Sequence, residues 1–287
     1  MIFAWGLNRF TFLNREIWVA LEKIVYWILF PALLIASASR AKLVWEDNVP
    51  MLLLLAVGMI SMALIAYSAK WIWQPDPVSH HSGIQTTFRF NTFIAFAVAL
   101  RLGGEDGLAL MAIAVASLVP LSNALSIISL SRNSQRSVLL ELIKNPFVIA
   151  TVFGLFINLC NIRLPDFIHS NLQRMGSASI TIGLMTVGAS LTWVSAKKDM
   201  ALVFFWTILK LVIFPLFVFT VGHYVLHLPK PQLTTAVVIA CVPTATSAFV
   251  MATRMGGNGP IVSLTISLMT IGAAFTMPFW IALVQSS

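Results

Sequence analysis

Hydrophobic residues in this chain fall in long blocks separated by short polar connections. A hydrocarbon core about 30 Å thick is crossed by roughly 20 apolar residues as helix. Nine blocks approach that length: Trp18–Ala38, Asn48–Ser68, Gly83–Gly103, Gly107–Ser131, Pro146–Leu164, His169–Leu191, Ala201–Leu226, Gln232–Gly256 and Pro260–Val284. Connections such as Asn133-Ser134-Gln135-Arg136 and Ala196-Lys197-Lys198-Asp199 leave no room for a soluble domain between spans. The pattern predicts an all-α polytopic membrane protein.

Composition agrees. Only 10% of the 287 residues are charged and 59% are hydrophobic, where a soluble domain carries about a quarter charged residues. Too little polar surface remains to cover a water-soluble globule. The net charge of +8 comes from 18 basic residues spread singly along the chain, with no cluster that suits nucleic acid. It serves topology and contact with the lipid bilayer instead. Arg9, Arg15, Lys70, Arg132, Arg136, Lys144, Lys197, Lys198 and Arg254 fall on one side of the predicted spans. Arg40, Lys42, Arg101, Arg163, Arg174 and Lys230 fall on the other. The richer side is placed in the cytoplasm, and the C-terminus outside.

Cys160 and Cys241 both sit in apolar runs and read as buried free thiols. No cleavable signal peptide is visible at the N-terminus. The pair His80-His81 reads as a solvated loop. Most of the Trp and Phe residues read as interfacial belts and lipid-facing surface.

Two stretches resemble each other around an A-x-R-x-G-G anchor. Phe90-Asn91-Thr92 through Glu105 aligns with Pro243-Thr244-Ala245 through Asn258, an offset of 153 residues from Arg101 to Arg254. That offset spans five helices, an odd number, which inverts the second copy in the membrane as in many secondary transporters. The expected organisation is a first five-helix repeat at 1–131, a cytoplasmic linker at 132–144 and a second, inverted repeat at 145–287. The partner of the helix beginning at Pro146 would then start before residue 1, so Met1–Asn8 reads as the tail of an incomplete first helix. A truncated chain or a misplaced start codon accounts for this. A nine-helix protein with an interfacial N-terminal segment is the alternative.

The candidate chemistry lies at the centres of the matching helices. Pro243 removes a backbone donor in mid-span and breaks or kinks the helix. Irregular backbone at that depth is tolerated only inside protein or beside a wet cavity. The hydroxyls of Thr244, Thr246 and Ser247 either bind a ligand or satisfy the freed backbone. Asn91 and Thr92 stand at the matching depth of the partner helix. Half-helix N-termini present unpaired N–H groups and a positive dipole end, a natural seat for a carboxylate. Asn123, whose repeat-mate is Thr276, is a further mid-membrane polar residue, as substrate ligand or as interhelical glue. Arg89 either attracts an anion inward or snorkels to the headgroups. Lys210 is deep enough to be a gating charge or to pair with a carboxylate. Glu22 and Lys23 read as an interfacial pair.

Neither crossover segment contains Asp or Glu, which argues against antiport through a buried acid pair. No Walker A, DDxxD or HExxH pattern is present, so neither ATP-driven transport nor membrane-enzyme chemistry is expected, and no cofactor or metal site.

The stretches Ala20–Ala38, Arg89–Gly107, Val119–Ser126, Asn145–Gly154, Gly183–Leu191 and Val242–Gly257 resemble the auxin efflux carrier family, in its bacterial branch of malate and malonate permeases. The resemblance implies ten helices in two inverted repeats, with the fourth and ninth crossing at broken centres and substrate bound near the crossing. It assigns Asn91 and Thr92, then Asn123, then Pro243, Thr244 and Thr246 to that site. It also implies a homodimer through scaffold helices. Phe90 stands where plant members have a crossover proline, so a less fully broken fourth helix is expected. The functional expectation is a multi-pass secondary transporter of the bacterial inner membrane, working by alternating access. Its substrate would be a small organic acid such as malate, malonate or an auxin-like acid. A non-transporting sensor or accessory subunit and a sodium-coupled organic acid symporter are the alternatives.

Overall fold

A computed structural model describes residues 2–11, 15–39, 45–130, 146–160, 162–189 and 199–287. The expected linker at 132–144 and the basic residues Arg40, Lys42, Arg132, Arg136, Lys144, Lys197 and Lys198 lie outside them. Every regular element among the described residues is helical. These are α1 (Ile2–Phe10), α2 (Arg15–Ile24), α3 (Phe30–Ser39), α4 (Trp45–Trp73), α5 (Pro77–Ile84), α6 (Thr92–Leu130) and α7 (Pro146–Leu159). They continue as α8 (Asp166–Ala189), α9 (Met200–Ile208), α10 (Phe214–Thr220), α11 (Lys230–Cys241), α12 (Ser247–Arg254) and α13 (Gly259–Ser286). Single π turns at Val25–Leu29 and Leu209–Ile213 join α2 to α3 and α9 to α10. Among the described residues, five helical stretches are long and apolar enough to cross a membrane: Glu16–Ser39, Asn48–Trp73, Pro77–Leu130, Met200–Val225 and Gly259–Ser286.

Two of the apolar blocks are interrupted at their centres, where breaks were expected. The block Gln232–Gly256 is α11 and α12, separated by a break in which Val242 is extended (φ −66°, ψ 146°). Pro243 favours this one, because its ring disfavours the α conformation at the preceding residue and removes the N–H that would bond Ile239 O. The block Gly83–Gly103 breaks fully after the 3₁₀ turn Gln85–Thr87, and α6 begins only at Thr92. A missing proline therefore does not leave this helix less broken, contrary to expectation. Polar side chains do the work instead. Thr86 Oγ1 and Thr87 Oγ1 donate to the carbonyls of Gly83 and Ile84 at 2.6 and 2.8 Å, and Gln85 Nε2 donates to Ser82 O at 3.3 Å. Asn91 Oδ1 accepts the Ile94 N–H at 3.2 Å as the N-cap of α6.

Each anchor holds one glycine at positive φ, though not at the matching position, since Gly256 aligns with Gly103. Gly104 (φ 56°) turns α6 sharply, and Gly256 (φ 74°) ends α12. Only glycine enters this region without a Cβ penalty. Asp76 and Asn258 cap the helices α5 and α13 by accepting the N–H groups of Ser79 and Ile261. Each of these helices carries a proline in its first turn, as helix starts favour.

The chain divides into two compact units. The first holds Met1–Leu43, Phe96–Ser117 and Leu139–Leu191. In it α3 packs against α7 and α8 at two glycine contacts: a Cβ at Gly154 would meet Ala38 at 2.8 Å, and one at Gly176 would meet Leu33 at 2.7 Å. The second unit holds Val44–Ala95, Leu118–Val138 and Thr192–Ser287. There α11 packs against α4, α10 and α13 around buried Leu55, Met59, Phe214, Val237 and Ile239. His80 belongs to α5 and is buried, with Nε2 3.2 Å from the Tyr67 carbonyl. His80-His81 is thus helical and not a solvated loop, because the capped start at Asp76 draws both residues into α5. Cys241 is buried as expected, but Cys160, just past the end of α7, is exposed, as are Phe156 and Leu159 before it.

Gly83 lies flat against the ring of the fully buried Trp206. Gly83→Ala is expected to lower stability by about 1–3 kcal/mol through overpacking, and Trp206→Leu in the same chain should recover part of that loss. Thermal unfolding of the single and double variants in detergent checks it.

Candidate functional site

The site forms where the two broken segments of the second unit meet. Asn91 N–H donates to Pro243 O at 2.8 Å. Asn91 is a helix cap with its backbone N–H and its side-chain oxygen both engaged, and it is buried. That leaves the N–H of Thr92, the first residue of α6, without an acceptor inside its own helix. Thr244 is buried completely, and its hydroxyl has no hydrogen-bond partner among the described residues. Thr246 is half-buried and precedes α12. A second tie runs beside the first, where Gln85 Nε2 donates to Ala248 O at 3.2 Å.

Arg89 does not snorkel. It is 7% exposed, and its guanidinium lies between one face of α6 and one face of α12. Nη1 donates to Ser126 Oγ at 2.9 Å and to Asn123 Oδ1 at 3.3 Å, with Met251 Sδ at 3.6 Å. Nη2 donates to Ser247 Oγ at 2.9 Å. These four partners are neutral acceptors. Asn123 and Arg89, separate candidates in the sequence, are therefore directly bonded. Ser126, Met251 and Gln85 were missed, and Ser247 was noted only as a nearby hydroxyl. A helical signal for two of them was present: Ser126 lies three residues past Asn123, and Met251 four past Ser247, each pair on one face. Thr276, the repeat-mate of Asn123, bonds to Gly272 O within α13 and is not among the groups around Arg89.

Lys210 is fully buried in the π turn between α9 and α10, away from the groups around Arg89. Its ammonium donates to Ile239 O at 3.3 Å and sits 4.7 Å from the Phe214 ring centroid. Ile239 lies four residues before Pro243, so its carbonyl is the one that proline leaves without an N–H. The charge also stands at the negative C-terminal end of α11. Lys210 is thus a helix-end cap and pairs with a carbonyl.

A further tie joins α5 to the cap of α13. Asn258 N–H donates to Ser82 Oγ and Asn258 Nδ2 to Ser79 Oγ, both at 2.8 Å. A Cβ at Gly257 would meet Ser82 Oγ at 2.5 Å. Among the described residues, cavities elsewhere include one of about 510 Å³ beside Ser39, Arg163 and Asp166 and one of about 220 Å³ beside His223, His227 and Lys230.

Apolar helices of membrane-crossing length, together with two helix breaks tied to each other beside a buried guanidinium, describe an integral membrane protein. The family described as "Membrane transport protein" matches residues 116–281, more than half of the chain. The chain belongs to this family, the auxin efflux carrier family. It is 26% identical over 151 residues to the uncharacterized transporter YfdV of Escherichia coli strain K12, and equally to YfdV of Escherichia coli O157:H7 and of Shigella flexneri. Each match covers 52% of this chain and 47% of the relative. The chain therefore spans about half the length of the curated relatives it matches.

Lys210→Met strands the Ile239 carbonyl and is expected to cost about 1–3 kcal/mol. Pro243→Ala returns an N–H at position 243, so Lys210→Met should cost less in that background. A double-mutant cycle on thermal stability in detergent measures the coupling.

Proposed function

We propose that the chain is a secondary carrier that moves small organic acid anions across the bacterial inner membrane by alternating access. The observation that carries this reading is the bond from Asn91 N–H to Pro243 O, which joins two broken helices beside the buried Arg89 guanidinium. Broken helices at membrane depth gather the N-terminal dipole ends that favour a carboxylate, and burial strengthens the attraction of a cation for an anion. Membership of the transport family supports the carrier class.

In this reading the repeats are 1–131 and 145–287, joined by a linker at 132–144, with the second repeat inverted. The substrate's carboxylate docks among Asn91, Thr92, Asn123, Pro243, Thr244 and Thr246. Arg89 supplies the positive potential. Lys210 holds the end of α11 in place. Malate, malonate and indole acids are the substrates to try first. A homodimer is the assembly the family resemblance favours.

Uptake of labelled malate, malonate, succinate and an indole acid into proteoliposomes tests the proposal. Saturable uptake is expected. Asn91→Ala should reduce it about tenfold or more, as loss of an N-cap worth ~1 kcal/mol together with a displaced helix end would do. Uptake that requires a sodium gradient would reassign the chain to sodium-coupled symport. A well-folded protein that moves none of these acids under any ion gradient would sink the organic-anion reading.

A further inference from the structure

The groups around Arg89 carry a consequence for specificity that rests on the carrier reading above. A guanidinium has only donors, so each neighbour bonded to it must present an acceptor. Asn123 therefore turns its carboxamide oxygen to Arg89 Nη1, and its NH₂ group faces away from the guanidinium. An amide with its oxygen held in this way cannot flip without placing donor against donor. Ser247 Oγ accepts from Nη2 in the same manner, so the hydroxyl proton of Ser247 points elsewhere. Among the described residues neither the Asn123 NH₂ group nor the Ser247 hydroxyl proton meets an acceptor, and neither residue is buried. Ser126 behaves differently. It accepts from Arg89 and passes its own proton to Ser122 O at 2.7 Å, so it has no donor left to offer.

We propose that Arg89 is a positioning residue that converts Asn123 and Ser247 into outward-facing donors, and that these two select an ionised carboxylate over its neutral acid or amide. An amide would set its own N–H groups against this donor-only pair, and a neutral acid would set its O–H there. A carboxylate offers acceptors alone. Sites whose buried polar groups are left unmatched reject the wrong ligand strongly, so discrimination arises from orientation as well as charge. Ser247 becomes a specificity-determining residue, a role that its weak helix-start position in the sequence does not reveal.

The experiment compares an acid with its amide for wild type, Ser247→Ala, Ser247→Thr, Asn123→Ala and Arg89→Lys. The readouts are KM and maximal rate of uptake in proteoliposomes, and thermal stabilisation of the purified protein by the acid. Ser247→Ala and Asn123→Ala are expected to raise KM for the acid about tenfold with little change in maximal rate, as loss of one charge-assisted hydrogen bond does. Ser247→Thr keeps a hydroxyl and should stay near wild type. Arg89→Lys should raise KM as well, because a point charge cannot hold both neighbours in one plane. The amide should be a poor substrate for wild type, and the preference for acid should shrink in Ser247→Ala. Wild-type KM in both alanine variants, or in Arg89→Lys, would overturn the proposal, since the charge alone would then bind the anion. If wild type transports no acid but is stabilised by one, and Ser247→Ala abolishes that stabilisation, the donor pair stands and the carrier reading falls. Absence of both transport and stabilisation overturns both.

Discussion

Inside a bilayer no water is at hand to complete a broken helix, so each backbone group freed by the break needs a protein partner. The bond from Asn91 N–H to Pro243 O meets that demand for both breaks at once. It joins the start of α6 to the segment that interrupts α11 and α12, so neither break is complete without the other. The surrounding chemistry follows from the same constraint. Asn91 gives its amide oxygen to Ile94, Thr86 and Thr87 close the end of the 3₁₀ turn, and Lys210 takes the carbonyl that Pro243 abandons. Several residues that look like ligand groups in the sequence are engaged in keeping the backbone satisfied.

The two breaks reach one geometry by different means. The second relies on a proline and a lysine from a neighbouring helix. The first has no proline and is built from Thr86, Thr87, Gln85 and Asn91, all buried. A buried ammonium is costly unless its donors are met, and Lys210 lessens that cost by meeting a helix C-terminus and the face of Phe214. Two different sets of side chains thus accompany the two breaks. Side chains are free to differ wherever they supply the same missing hydrogen bonds.

Much of this was legible in the sequence, for reasons particular residues show. Long apolar blocks gave the membrane class because hydropathy is additive along the chain and needs no knowledge of packing. Pro243 announced its break, since a proline acts locally. The A-x-R-x-G-G anchors marked turns at Gly104 and Gly256 because positive φ is itself a local requirement. The break before Thr92 is hard to read because no proline marks it: it is made by side chains that bond local carbonyls, Thr86 with Gly83 and Thr87 with Ile84, and is tied to other segments by bonds from the Asn91 backbone N–H to Pro243 O and from Gln85 to Ala248 O. The bond of Lys210 is hidden for a related reason. Its partner is a main-chain carbonyl 29 residues away, and carbonyls leave no trace in residue identity. His80 was read as loop because two polar residues in a row suggest water, whereas the Asp76 cap two positions before Val78 begins a helix that buries it.

The distribution of these bonds also says which part of the second unit holds together. At the crossing, the segment that follows α5 is linked to α12 through Gln85 to Ala248 and through Arg89 to Ser247 and Met251. Within α5, Ser79 and Ser82 are bonded to Asn258, the cap of α13. Sliding α5 against α12 and the start of α13 would break several of these bonds together, each worth about 1 kcal/mol and more where charge is involved. The bonds therefore hold these pieces of the second unit as one, with Arg89 buried among them.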